Sequence, residues 1–122
     1  MKKIIVIDDD HKTRKFLEDV ITVAGFEALV YDNAVEAFKA LPETRPHLII
    51  VDEMLPQMNG FKFCGLVKSN TSLKHIPVIL FTARMLEESG KQMCEEVGVD
   101  CYMEKTGSVE KILEVIRRFL SS

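Results

Sequence analysis

No apolar run in this chain of 122 residues exceeds four; Ile4–Ile7, Leu48–Val51 and Val78–Phe81 are among them. A membrane-spanning helix needs about 20 such residues, so none is expected. A basic leader followed by a long apolar stretch and a small-residue cleavage site is also missing, so the expected location is the cytoplasm. Cysteine is scarce: Cys64, Cys94 and Cys101 are odd in number and far apart, with no CxxC pair. They read as reduced thiols in a reducing compartment rather than as a disulfide framework. His11, His47 and His75 are scattered too, so zinc-ligand spacing is lacking. With 16 basic against 19 acidic residues there is no basic excess, and so no footprint for a nucleic-acid backbone. Neither G-x-x-x-x-G-K-[ST] nor G-x-G-x-x-G occurs, which removes the usual nucleotide cradles. Only 4 Pro and 6 Gly are present, excluding collagen-like and low-complexity architectures.

What remains is an ordinary globular composition, 47% hydrophobic and 29% charged. A chain of this length buries about two-thirds of its unfolded surface, enough for one domain over residues 1–122 without disulfides or a structural metal. The chain alternates strand and helix five times. Lys3–Ile7 is a β-branched run. Phe16, Leu17, Val20, Ile21 and Ala24 follow as one helical stripe, ended by Gly25. Glu27–Tyr31 is a second strand. Asp32 or Asn33 is placed to cap a helix with apolar positions Ala34, Ala37, Phe38 and Leu41, and Pro42 and Pro46 punctuate the loop after it. His47–Val51 is a third strand, followed by a helix over about Gly60 to Lys68. Pro77 opens a fourth strand, Val78–Phe81. Met85 to Val97 carries an uneven stripe with Gly90 inside it, and Gly98 ends that helix. Asp100–Met103 is the fifth strand, and Val109, Ile112, Leu113, Ile116 and Phe119 form the closing helix.

Strands that are apolar without alternation are buried on both faces, as in a parallel sheet covered by helices. Five such β-α units predict an open, doubly wound α/β fold of the flavodoxin-like kind, strand order 2-1-3-4-5. Ligands of these sheets bind beyond the carboxyl ends of the strands. Asp8, Asp9 and Asp10 follow the first strand, Asp52 the third, Thr82 the fourth and Lys105 the fifth. The predicted order makes strands one and three neighbours, bringing Asp52 beside Asp8 and Asp9. Each residue alone has a plain structural reading, and Asp10 reads as the cap of the first helix. Together they describe a chemistry. Clustered carboxylates repel one another unless some are protonated or a divalent cation neutralises them, and hard oxygen ligands suit Mg²⁺. One carboxylate can then act as a nucleophile toward a phosphoryl group, with a lysine and a hydroxyl to receive its oxygens.

The segments IIVIDDD at 4–10, LIIVDEMLPQMNG at 48–60, HIPVILFTA at 75–83 and GVDCYMEK at 98–105 resemble, in this order and spacing, a CheY-like receiver domain of two-component response regulators. The resemblance runs from Lys3 to Leu120. It implies that Asp52 is the phosphoacceptor and that Asp8 and Asp9 hold Mg²⁺, with Asp9 as the direct ligand and the backbone carbonyl of Met54 as another. It implies that Thr82 is the switch hydroxyl and that Lys105 binds the phosphoryl group. Tyr102 matches the family's rotating aromatic, a core tyrosine being the alternative. Implied partners are a histidine kinase or phosphotransfer protein, and a target protein reached through the fourth helix, fifth strand and fifth helix. With no DNA-binding region after Leu120, output is expected through another protein or a further domain. One residue departs from the pattern: Thr106 stands where the family has a proline joined by a cis bond. A cis bond before a non-proline residue costs ~2.5–4 kcal/mol, so a trans, differently shaped loop is expected.

Competing readings are a phosphorylation-independent docking module, a small Mg²⁺-dependent phosphohydrolase and a flavin binder. The phosphohydrolase wants an acid/base carboxylate two residues past the nucleophile, where Met54 stands. The flavin binder wants a glycine- and hydroxyl-rich loop where three aspartates stand.

Overall fold

The computed structural model describes residues 1–105 and 108–121. Its elements are β1 (Lys3–Ile7), α1 (His11–Val23), β2 (Glu27–Tyr31), α2 (Ala34–Thr44), β3 (Leu48–Asp52), α3 (Gly60–Lys68), β4 (Val78–Thr82), α4 (Glu88–Val97), β5 (Cys101–Glu104) and α5 (Val109–Leu120). All strand pairs are parallel, in the order β2-β1-β3-β4-β5. The expected fold class and strand order are both found.

The two-sided burial of the sheet follows from strand periodicity. Side chains of successive residues point to opposite faces. Ile5, Ile7, Ile49, Val51, Val78 and Leu80 pack with Ala37, Leu41, Phe63 and Val67 of α2 and α3. Ile4, Val6, Leu48, Ile50, Ile79 and Phe81 pack with Leu17, Ile21, Ile112 and Ile116 of α1 and α5. Because both faces are covered by helices, no position in β1, β3 or β4 short of the carboxyl end can be polar without a buried partner.

Local signals set the helix starts. Asp10, Asn33, Asn59 and Ser108 each accept a backbone N–H from the residue three positions on, capping α1, α2, α3 and α5. Asn33, not Asp32, is therefore the second cap. Gly98 closes α4 at φ 86°, a left-handed conformation that glycine adopts without a Cβ penalty.

Several boundaries differ from expectation. Pro42 lies inside α2, which runs on to Thr44 and ends at Arg45 with φ 47°. The proline removes only the bond that its amide would give Phe38, and the buried Leu41 beside it holds the turn against α3 and the sheet. β3 begins at Leu48 and includes Asp52; His47 instead accepts the Lys3 amide on Nδ1 at 3.0 Å. α4 starts at Glu88, because residues 85–87 form a loop in which Leu86 is buried and Met85 exposed. Phe16 and Val109, counted among core stripes, are 40% and 43% exposed. The stripe of α5 falls instead on Ile112, Val115, Ile116 and Leu120. Cys64 and Cys94 are buried free thiols. Burial pushes the Cys64 thiol up to about 11 and raises Cys94 as well, so both are inert at neutral pH. No described helix is long and apolar enough to cross a membrane.

Candidate functional site

The register of the central strands assembles the acidic cluster. Ile7 of β1 pairs with Val51 of β3, so Asp8 and Asp52 emerge side by side at the carboxyl edge. Carboxylate oxygens of Asp8, Asp9 and Asp52 lie within 4.8 Å of one another. Asp8 and Asp52 are buried, and Asp9 is exposed at the rim. Asp8 is fixed on one side: its Oδ1 accepts the Asp10 amide at 2.9 Å, and its amide donates to Tyr31 O at 3.1 Å. Its backbone carbonyl accepts from Arg14 Nη1 at 2.8 Å. Asp10 turns away from the cluster to cap α1, accepting from the amide and hydroxyl of Thr13.

Lys105 crosses the site from β5. Its Nζ lies 2.8 Å from Asp8 Oδ2 and 3.2 Å from Asp52 Oδ2. Its amide donates to Thr82 O at 2.7 Å, which ties the end of β5 to the end of β4. Burial works against the ammonium, but the two carboxylates overcome it and hold the Lys105 pKa above its ordinary value. Asp52 behaves in the opposite sense. Burial and the Asp8 charge raise its pKa above the ordinary carboxyl value, and Lys105 and the Met54 amide only partly reverse this. That amide donates to Asp52 Oδ1 at 3.4 Å, and the Met54 side chain points to solvent.

The arrangement suits a divalent cation. Asp8 Oδ2 is buried without a hydrogen bond of good geometry among the described residues, and it lies 2.8 Å from the Lys105 ammonium. A buried carboxylate oxygen left in that state carries a desolvation cost that a hard cation would relieve. The three-carboxylate pocket is compatible with Mg²⁺.

The matching family model is that of the response regulator receiver domain, over residues 4–117. This chain belongs to that family. It is 30% identical over 119 residues to the polar-differentiation response regulator DivK of Brucella anthropi, covering 98% of this chain and 96% of DivK. Protein PilG of Pseudomonas aeruginosa is 29% identical, with 98% and 88% covered. Among solved structures, the chemotaxis protein CheY4 of Vibrio cholerae superposes with a TM-score of 0.92 at 27% identity, covering 98% of this chain and 99% of that one. The signal receiver domain of a histidine kinase from Syntrophus aciditrophicus gives 0.91 at 28% identity, covering 99% and 91%. The receiver is thus a phosphorylation-type signalling module rather than a classical enzyme.

The receiver's other expected residues fall as follows. Thr82 ends β4, buried, on the same face as Leu80. Tyr102 of β5 pairs in register with Leu80 and packs, half-buried, against the α2–α3 core. Thr106 lies outside the described residues, and so does the peptide bond joining it to Lys105.

Glu53 is the residue that sequence reasoning passed over. It continues β3 by one ladder bond, its amide donating to Phe81 O at 3.2 Å. It therefore shares the face of Val51 and Thr82 and is buried. Its Oε1 accepts the Thr82 hydroxyl at 2.8 Å, and its Oε2 accepts Arg84 Nη2 at 2.7 Å. Burial alone would raise its pKa, but the Arg84 and Thr82 hydrogen bonds outweigh burial and hold it below the ordinary value. The available signal was parity: an ionisable residue one step past an apolar strand keeps facing the core.

Proposed function

We propose that the whole chain, residues 1–122, works as one cytoplasmic receiver that takes a phosphoryl group from a phosphohistidine onto Asp52. The donor is a histidine kinase or a phosphotransfer protein. The observation that carries this reading is the gathering of Asp8, Asp9 and Asp52 within 4.8 Å, with Lys105 lying across two of them. A carboxylate oxygen of Asp52 attacks phosphorus while the P–N bond of the donor breaks. The electron pair returns to the donor's imidazole, which takes a proton from solvent, and Asp52 becomes an acyl phosphate. Asp8, Asp9, Asp52 and the Met54 carbonyl would hold Mg²⁺, which supplies charge neutralisation for the phosphoryl oxygens. The Lys105 ammonium exchanges its carboxylate partners for a phosphoryl oxygen, a point charge already aimed at the site. Thr82 then donates its hydroxyl to the new anion, and Tyr102 answers on the same face of the sheet. Output passes to a target protein through the face of α4, β5 and α5. The phosphohydrolase alternative lacks a free acid/base carboxylate, since Met54 occupies the place two residues on and Glu53 is already engaged by Thr82 and Arg84.

The test is incubation with Mg²⁺ and acetyl phosphate, read by intact mass. The expected result is a single adduct with the mass of one HPO₃ group, absent without Mg²⁺ and absent in Asp52→Asn. An adduct that persisted in Asp52→Asn, or none in wild type, would overturn the phosphoacceptor reading.

A further inference from the structure

We propose that Glu53 is a latch that holds the Thr82 hydroxyl in the resting conformation and sets how hard the switch is to throw. The inference rests on the switch role given to Thr82 above and names what opposes it. A hydroxyl has one proton to give. Thr82 Oγ1 has two acceptors in reach, Glu53 Oε1 at 2.8 Å and Arg84 O at 3.2 Å. The nearer is ionised and gives the stronger bond. The Arg84 amide completes the grip by donating back to Thr82 Oγ1 at 3.3 Å.

Glu53 is itself over-determined. It is only 4% exposed, and Arg84 closes over it with Nη2 at 2.7 Å from Oε2 and Nε at 3.4 Å from Oε1. If the Thr82 proton turns toward a phosphoryl group, Oε1 keeps only the long Nε contact. A buried carboxylate oxygen then loses its good donor as a second anion arrives on the neighbouring residue, Asp52. Glu53 thus stabilises the resting state selectively. The Arg84 side chain is 61% exposed, which leaves the guanidinium free to draw the displaced carboxylate outward. A Glu53 that served only to stabilise the fold would alter the melting temperature, not the balance between resting and phosphoryl-bound states.

The test uses the full chain and beryllofluoride with Mg²⁺ as the phosphoryl mimic, titrated by NMR. Glu53→Ala should bind beryllofluoride about ten-fold more tightly than wild type, the change expected from removing one competing hydrogen bond. In a Thr82→Ala background the same substitution should gain less than about two-fold, since nothing is left to release. An equal gain in both backgrounds would mean that Glu53 acts as a charge alone, and the latch would be wrong; it would be wrong too if Glu53→Ala, made with Thr82 intact, gave no gain or a loss. Should Glu53→Ala fail to fold, Glu53→Gln carries the same comparison, with a smaller gain in the same direction.

A second arm needs no mimic. Side-chain couplings of Thr82 in the free protein should report one rotamer in wild type and averaging in the Glu53 variants; averaging in wild type would overturn the latch. A wild type that took up no beryllofluoride would bring down the phosphoacceptor reading instead, with the Thr82 couplings still deciding what Glu53 holds.

Discussion

Asp52 and Lys105 carry the energetics of the site between them, and their balance gives two predictions. Two carboxylates about 4 Å apart at an effective dielectric near 20 repel by about 4 kcal/mol, and Lys105 offsets that for both Asp8 and Asp52. The offset is incomplete at Asp52, where burial adds to the Asp8 charge and raises the pKa. A carboxyl with a raised folded-state pKa gives stability that is full below its ordinary value of 3.8 and is lost as pH rises through the folded-state value. Asp52→Asn should therefore melt higher than wild type at neutral pH without metal, by on the order of 1 kcal/mol or ~4 °C. The gap should widen as pH climbs above 3.8 and shrink when Mg²⁺ is added. Calorimetry of both proteins across pH, with and without Mg²⁺, checks this; a variant less stable than wild type at pH 7 would contradict it. Lys105→Ala removes a cation lying against two of the three carboxylates, so Mg²⁺ should bind as well or a few-fold more tightly. Phosphorylation by acetyl phosphate should slow about ten-fold or more, as when one preorganised charge is taken from a reacting anion. Isothermal titration and timed mass spectra separate the two effects, and a parallel loss of both would place Lys105 in metal binding instead.

At the scale of elements, α3 and α4 stand at opposite ends. α3 has a side-chain cap from Asn59 and buries Gly60, Phe63, Cys64 and Val67. α4 has no side-chain cap bond, carries Gly90 within it and buries only Cys94. Few buried contacts and an uncapped start mark a low-stability unit, the kind of element a switch can move. α3 instead fixes the floor of the site. A Cβ on Gly60 would sit 2.5 Å from the Asp52 carbonyl oxygen and 2.8 Å from Leu80 Cδ1, with Glu53 Cα at 3.1 Å. Only glycine lets the first turn of α3 approach β3 this closely, while its amide donates to Glu53 O at 3.0 Å. Gly60→Ala should cost about 1–3 kcal/mol in urea unfolding, as overpacking does. It should also weaken Mg²⁺ binding, because the shift falls on the backbone of Asp52 and Glu53. Wild-type stability in that variant would mean that α3 can slide without penalty.

For the molecule as a whole, the parallel sheet decides which distant side chains become neighbours. Thr82 shares its face with Leu80, and Leu80 pairs with Tyr102, so the hydroxyl and the ring sit on one side of the sheet with Leu80 between them. Moving a two-state equilibrium from 1:99 to 99:1 takes about 5.5 kcal/mol. Charge-assisted hydrogen bonds supply roughly 1.5–3 kcal/mol each, and releasing Glu53 takes some of that back. The shift on phosphorylation is therefore expected to be substantial and incomplete. Thr82→Ala should still take a phosphoryl group on Asp52, but its Tyr102 ring signals should stay as in the free protein when beryllofluoride is added. A wild-type Tyr102 response in that variant would break the coupling while leaving Asp52 untouched.

The apolar runs and their spacing were enough to give the five β-α units and the two-faced sheet, because strands buried on both sides need helices over both faces. The strand order came from the flavodoxin-like pattern, since doubly wound sheets allow other orders. The same spacing put Asp8, Asp9, Asp52, Thr82 and Lys105 on one rim, since their distance from each run sets where each side chain emerges. Pro42 inside α2 and the late start of α4 were not legible. Both are settled by core contacts with residues distant in sequence: Leu41 is buried in that core in one case and Leu86 in the other. Glu53 shows the same limit at the site. Its position one residue past β3 can be read from the chain, but its bond to Thr82 across 29 residues exists only once β3 and β4 lie side by side. The propensity and periodicity of a segment act over a few residues, whereas the partner of a buried charge is chosen by the packing that buries it.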